Sequence, residues 1–445
     1  MLKFVVRRFI PAVLVLSACA SAIAQPLFAT SGEYARVGYQ HEARDNPVAR
    51  LQEALQSGKV QLNYGQVRGY FDALLDALDI DPDSQMLVFS ATSLQKKLIS
   101  RKTPRGLFYN DDTYLGLVQH STIVEVATID DKLGTVFYTF DNTKGTTKYF
   151  ERADQTCLVC HDSQGVPGFG VPMLRALSIV FSADDVPLKI FSGSGIVGDE
   201  TPLKDRWGGW YVTGRHGVQP HLGNLVLDDP DDLQTLDDHR VWNLETLKGT
   251  GYFDTSPYPR DTSDIVALMV LEHQITVENQ ITYIKFKAPA VLKRRGLDDA
   301  AAAASWDALP TAARQSLAPM MDKLVERLVL LNAADIASRI SGSQAFVDRF
   351  IARGPKDGAG RSLRDLDLNK RLFRYPLSYL IYAKSFATMP AYAKDYVYRR
   401  VAAYLGGEEL FAGKSQYSLE DRQAALEILT ATQPEFRPYS ALDHR

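Results

Sequence analysis

Hydrophobic and polar positions change their period several times along this 445-residue chain. Apolar residues recur at helical spacing within 46–57 (Leu51, Leu55) and within 66–79 (Phe71, Leu74, Leu75, Leu78). Residues three and four apart share one face of a helix, so both stretches predict short amphipathic helices. From 86 to 141 the period shortens. Met86–Ser90, Gly106–Tyr109, Tyr114–Gln119, Ile123–Ile129 and Gly134–Phe140 are short β-branched or aromatic runs split by Asp, Asn, Gly and Pro. Such runs suit a pleated, half-buried surface and the breaks supply turns, which predicts an antiparallel sheet. Strand-like runs resume at 176–181, 187–191 and 210–213.

Helical spacing returns at 263, where Ser263 is placed to cap a helix running to about Glu278. The alanine run Ala300–Ala304 marks a boundary. Helical segments follow near 311–341, 376–386, 390–405 and 418–432, the last opened by Ser418 and Asp421 as a capping box. The predicted fold class is α+β: an antiparallel β-rich N-terminal and central region, then an α-helical C-terminal region. The divisions read as a leader over 1–24, an N-terminal α+β region over 25–150, a central region over 151–297 and a helical region over 298–445. Tyr375, Tyr379, Tyr382, Tyr392, Tyr396 and Tyr398 cluster in that last region, where packing with wet hydroxyl tips is the expectation.

Composition is that of an ordinary globular protein, 45% hydrophobic and 23% charged. A net charge of -3 gives no basic footprint, so nucleic acid is not an expected partner. The leader has a positive start (Lys3, Arg7, Arg8), an apolar run from Phe9 to Leu16, and Ala22-Ile23-Ala24 as a cleavage site before Gln25. Leu16-Ser17-Ala18-Cys19 also resembles a lipobox, which would make Cys19 a lipid-anchored N-terminus. No later stretch approaches the roughly eighteen apolar residues that a membrane span needs. The expected location is the periplasm or the medium, with anchoring in the outer membrane as the lipobox alternative.

Of three cysteines, two sit in Thr156-Cys157-Leu158-Val159-Cys160-His161, a C-x-x-C-H string. On one helical turn both thiols share a face and reach the two vinyl groups on one side of a porphyrin. The adjacent His161 then offers its imidazole to the iron. A thioredoxin-like pair would need a strand before it, whereas residues 151–155 are polar. A zinc site would need a second Cys/His pair. A disulfide so closely spaced would constrain almost no chain.

Through Cys157, Cys160 and His161 the chain resembles the c-type cytochromes. More widely it is similar to large, poorly characterised bacterial monohaem proteins. The stretches that carry this likeness are Trp207-Gly208-Gly209-Trp210-Tyr211-Val212-Thr213-Gly214, Arg215-His216-Gly217 and His221-Leu222-Gly223-Asn224. The resemblance implies one covalent haem c per chain, with His161 as proximal ligand. It also implies electron transfer between exported redox partners. The alternative is a haem-dependent oxidoreductase, peroxidase-like or oxygen-activating, with an open or displaceable sixth position. Trp207, Trp210, Tyr211, Arg215 or His216 would then line its distal pocket.

The sixth ligand decides between these chemistries. His221 or His216 is the expected distal ligand, because Gly214, Gly217 and Gly223 would let backbone approach the porphyrin while Trp207 and Trp210 pack its edge. Met173 is the runner-up, at the end of the Gly/Pro loop 163–172, and Met269 and His273 share one helix face farther on. Pro167 is the expected source of the carbonyl that fixes the proximal imidazole. The six aspartates of Asp228–Asp238 read as a solvated loop, with a calcium site or docking patch as the alternative.

Overall fold

The computed structural model describes residues 34–440 apart from 35–36, 41–44, 146–148, 163–169, 192–195, 230–231, 233–242 and 298–304. The leader with Cys19, Pro167, and most of the aspartate loop lie outside the described residues.

The alternating runs form strands β1 (Met86–Val88), β2 (Arg105–Tyr109), β3 (Thr113–Leu117), β4 (Ile123–Asp130), β5 (Gly134–Asp141), β6 (Phe150–Arg152), β7 (Ile179–Ser182), β8 (Pro187–Ile190), β9 (Trp210–Tyr211) and β10 (Val226–Leu227). Seven of them make one sheet in the order β6-β5-β4-β3-β2-β1-β9, and every neighbouring pair runs antiparallel. The longest pairing joins β4 to β5, register Val126↔Tyr138. It closes through a tight turn at Gly134, whose φ of 67° suits glycine. The remaining strands form a small sheet, β10-β7-β8. Its β10 runs parallel to β7, a departure from the all-antiparallel expectation.

Because successive side chains point to opposite faces, the large sheet has two apolar sides. Phe108, Leu115, Val124, Val126 and Phe140 pack with Leu51, Phe71 and Leu74 of helices α1 (Pro47–Gln56) and α2 (Phe71–Ala77). Met86, Val88, Tyr109, Tyr114 and Ile129 form the other side, in a core shared with the C-terminal helices. Helix α3 (Asp154–His161) follows β6 directly. Full burial of such a side chain contributes about 1.5–3 kcal/mol. One core therefore runs from Met86 to Phe436, across the sequence divisions at 150 and 297.

The spine of that core is α4 (Ile265–Arg294). Apolar side chains cover it nearly all round, and the polar ones among them, from Glu272 to Asn279, are buried too. A helix without a polar face loses its period, which explains why the helical pattern fades near Glu278 while the helix runs on to Arg294. Its cap is Asp264, which accepts from Ala267 N at 2.8 Å. Ser263 instead donates to Tyr211 O at 2.6 Å and accepts from Leu87 N, tying β1 to β9.

Helix α5 (Thr311–Leu328) ends earlier than 341, because Leu330 and Asn332 take positive φ and turn the chain away. Helix α6 (Gln344–Ala352) was not expected, although Ser343 caps it and Phe346 and Phe350 share its buried face. Within 376–386 the chain makes a short 3-10 turn, Tyr379–Tyr382, and one turn of helix. Helices α7 (Ala391–Leu405) and α8 (Leu419–Thr432) match the expected segments, and both bonds of the Ser418–Asp421 capping box are present. No helix among the described residues is long and apolar enough to cross a membrane.

Candidate functional site

Helix α3 carries Cys157, Cys160 and His161 out of the sheet. Its start is tied to β5 by Ala153 N donating to Phe137 O at 3.0 Å. Leu158 points inward and is buried with Val171, Met173 and Phe286. That leaves Val159 65% exposed and Cys160 at the surface, while Cys157 is half-buried. Burial, with the Glu125 and Asp154 carboxylates adding to it, pushes the Cys157 thiol up to about 12. Cys157 therefore lacks the thiolate character of a reactive redox cysteine. Cys160 lies in the last turn of the helix, away from the N-terminal end that stabilises thiolates.

The His161 ring lies 4.7 Å from Phe137 and sits 2.7 Å, through Nδ1, from the Met173 carbonyl oxygen. Met173 N also donates to His161 O at 3.1 Å, so one residue grips both the backbone and the ring. Burial lowers the His161 pKa to about 4, so the imidazole is neutral at pH 7. With its Nδ1 proton given to a carbonyl, a neutral imidazole carries its lone pair on Nε2. The carbonyl comes from Met173 rather than Pro167, which lies outside the described residues.

The residues present fit a haem c. The ring supplies four of the iron's ligands. The protein must add a neutral, oriented imidazole and two thiols, and α3 offers all three. A carbonyl on the other ring nitrogen is the usual partner of a metal-binding histidine. Among the described residues no group of three or more His, Cys, Asp or Glu gathers to hold a bare metal ion.

The distal candidates lie in other surroundings. Met173 is brought to His161 by its main chain, on the Nδ1 side of the ring, and its side chain is buried. His216 is 1% exposed. Its Nδ1 lies 2.7 Å from Gln219 O and its Nε2 accepts from Asn243 N at 2.9 Å, so both ring nitrogens are engaged by backbone. His221, equally buried, accepts from Gly223 N at Nδ1 and packs edge-on to His216 and Trp207. The segment from Thr213 meets α4 at its first turn, whereas Leu174 is held at Asn279. At 1.5 Å per residue those levels are about 20 Å apart along the helix.

The glycines of this stretch let it approach protein. A Cβ on Gly214 would strike Ile265 and lie 2.7 Å from Ser341 O, and one on Gly217 would strike Ser338. Trp207 and Trp210 are core residues, donating through Nε1 to Glu272 and to Leu177 O. Tyr211 is buried and donates to Arg101 O, and Arg215 is exposed and paired with Glu245.

Two buried networks had no motif in the sequence. Arg206 pairs with Glu272 at 2.8 Å, and both are almost fully buried. In the second, Asp199 Oδ2 sits 2.7 Å from His273 Nδ1, and His273 Nε2 sits 2.6 Å from Ser378 Oγ. The order is that of a hydrolytic triad, but Ser378 is fully buried and its Oγ also accepts from Leu380 N. Asp199, and not the serine, borders the cavity of about 640 Å³ beside this network. A nucleophile sealed at the inner end of its triad cannot meet a substrate, so the line serves to satisfy a buried histidine. Met269, on the same helix, is a buried core residue. Comparison with family models, with curated proteins and with solved structures finds no match.

Proposed function

We propose that the chain is an exported monohaem c-type cytochrome. One haem c would be bound through thioethers on Cys157 and Cys160, with His161 as the proximal iron ligand. It would carry electrons between periplasmic redox partners. The observation that carries this reading is the Met173 carbonyl on His161 Nδ1, at the end of a helix bearing two thiols three residues apart. The haem, when bound, supplies a one-electron couple at its iron. The chain's own residues anchor and aim. Leu158 roots the attachment helix in the core, Met173 orients the imidazole, and Phe137 supports its ring. Val159 and Cys160 keep the attachment turn at the surface, within reach of a partner.

The test is haem staining of the denatured protein on a gel. The unmodified chain should keep its stain, and Cys157→Ala with Cys160→Ala should abolish it. Staining that survives the double substitution refutes covalent attachment at this motif.

One observation favours the second reading, a haem oxidoreductase with an open or displaceable sixth position. Both ring nitrogens of His216 are already bonded, and Met173 is committed to the proximal side. High-spin ferric iron in the resting protein would select this reading over a six-coordinate electron carrier.

A further inference from the structure

We propose that Asn279 is a positioning residue for the iron ligand. Its amide acts through Leu174 and Met173 to fix the carbonyl that aims and strengthens the His161 imidazole. The inference rests on the cytochrome reading above.

The connection has two links, and each is made at two points. Met173 receives His161 Nδ1 at its carbonyl, 2.7 Å away, and returns its own N–H to His161 O at 3.1 Å. Leu174, the next residue, donates its N–H to Asn279 Oδ1 at 2.9 Å and accepts from Asn279 Nδ2 at 2.8 Å. A group held by one hydrogen bond can pivot about it, whereas a paired contact fixes direction as well as distance. Asn279 is itself held firmly, 5% exposed on a helix buried for most of its length.

Met173 and Leu174 are buried in the core, but Met173 also faces an empty space. Met173 and Asn279 both border the cavity of about 640 Å³, together with Ile196, Gln280 and Tyr283. On that side the backbone beside the ligand lacks a close-packed wall. The amide clamp supplies the missing constraint. The amide also satisfies the buried backbone N–H and C=O of Leu174, which an apolar residue would leave unpaired, so its loss lowers stability as well. What the amide adds beyond that is placement of one carbonyl against one imidazole nitrogen.

The chemical consequence follows from the role of outer partners on metal-bound histidines. A carbonyl that accepts the Nδ1 proton makes the imidazole a stronger donor through Nε2 and favours the oxidised metal. Loosening the clamp should weaken that donation and raise the reduction potential.

The experiment uses the full-length holoprotein with Asn279→Leu and Asn279→Ala, the second as the milder change should the first fail to fold. Gln274→Met serves as control. Gln274 is an equally buried amide on the same helix, bonded to Tyr114 and Tyr379 and not to the ligand segment. Haem stain is recorded first, then the reduction potential and the ferric electron paramagnetic spectrum. Both Asn279 variants should keep the stain, shift the potential upward and alter the spectrum. Gln274→Met should lower the unfolding midpoint and leave the potential at its unmodified value. The inference is overturned if stained Asn279 variants keep the unmodified potential, or if Gln274→Met moves it as far. Absence of stain from the unmodified protein would instead overturn the cytochrome reading beneath it.

Discussion

Glu272→Gln tests the buried centre of the fold through its pH dependence. Glu272 is 1% exposed and holds Arg206 and the Trp207 indole, each at 2.8 Å. Burial raises its pKa from 4.5 to about 7, although Arg206 and Trp207 both oppose the rise. The folded state therefore binds a proton between those values that the unfolded chain has lost. Stability from this group is highest at acid pH and falls as pH rises through the window. At about 1.4 kcal/mol per unit, the change between pH 5 and pH 8 is on the order of 2 kcal/mol. Glutamine keeps an acceptor for Trp207 but does not titrate. Other pH-sensitive groups, such as Glu278 with its own raised pKa, contribute to both proteins and cancel in the difference. Denaturant midpoints of unmodified and Glu272→Gln protein at pH 5, 6, 7 and 8 should thus diverge in the variant's favour as pH rises. Parallel profiles would show that Glu272 keeps an ordinary pKa and that the reasoning from its burial is wrong.

On the proposed cytochrome reading, the distal side of the iron can be tested by spectroscopy. Substituting His216, His221 and Met173 singly by Ala should leave the ferric spectrum unchanged, since the segment of the two histidines meets α4 about 20 Å from the Leu174 anchor and Met173 lies on the proximal side. A low-spin ferric spectrum lost in His221→Ala or His216→Ala would instead assign the sixth ligand to histidine, and a near-infrared band lost in Met173→Ala would assign it to methionine. The mature N-terminus, read by mass spectrometry, should be Gln25 or a lipidated Cys19, and a retained Met1 in mature holoprotein would refute the export reading.

Most strands were legible because their alternation is local and their breaks are Asp, Gly and Pro. Strand β10 was not expected, and β6 (Phe150–Arg152) runs into residues read as too polar for a strand before the cysteine pair. The β4–β5 hairpin falls within a residue of its expected limits. Helix α4 was half legible, since polar residues such as Glu272, Gln274 and Asn279 interrupt its apolar run while buried in bonds of their own. Those same residues were the available signal, because a polar side chain in a helix with no polar face needs a partner. The motif on α3 was plain from spacing, but its support was not. A main-chain carbonyl has no signature in sequence, and Met173 was weighed for its sulfur rather than its backbone oxygen. His216 and His221 drew attention as histidines among glycines. Their close approaches are to Ile265, Ser338 and Val212, contacts that no local pattern encodes.

The span of the Asn279 clamp bears on how the molecule is assembled. Its two partners lie 105 residues apart in the chain. A polypeptide threaded N-terminus first would present Cys157 and Cys160 long before Asn279 arrives to lock the segment behind them. During that interval the attachment turn would be exposed and unsecured, as a modifying enzyme acting on unfolded chain requires. On the proposed cytochrome reading, arrival of the long helix would then end the interval in which the cofactor can be loaded.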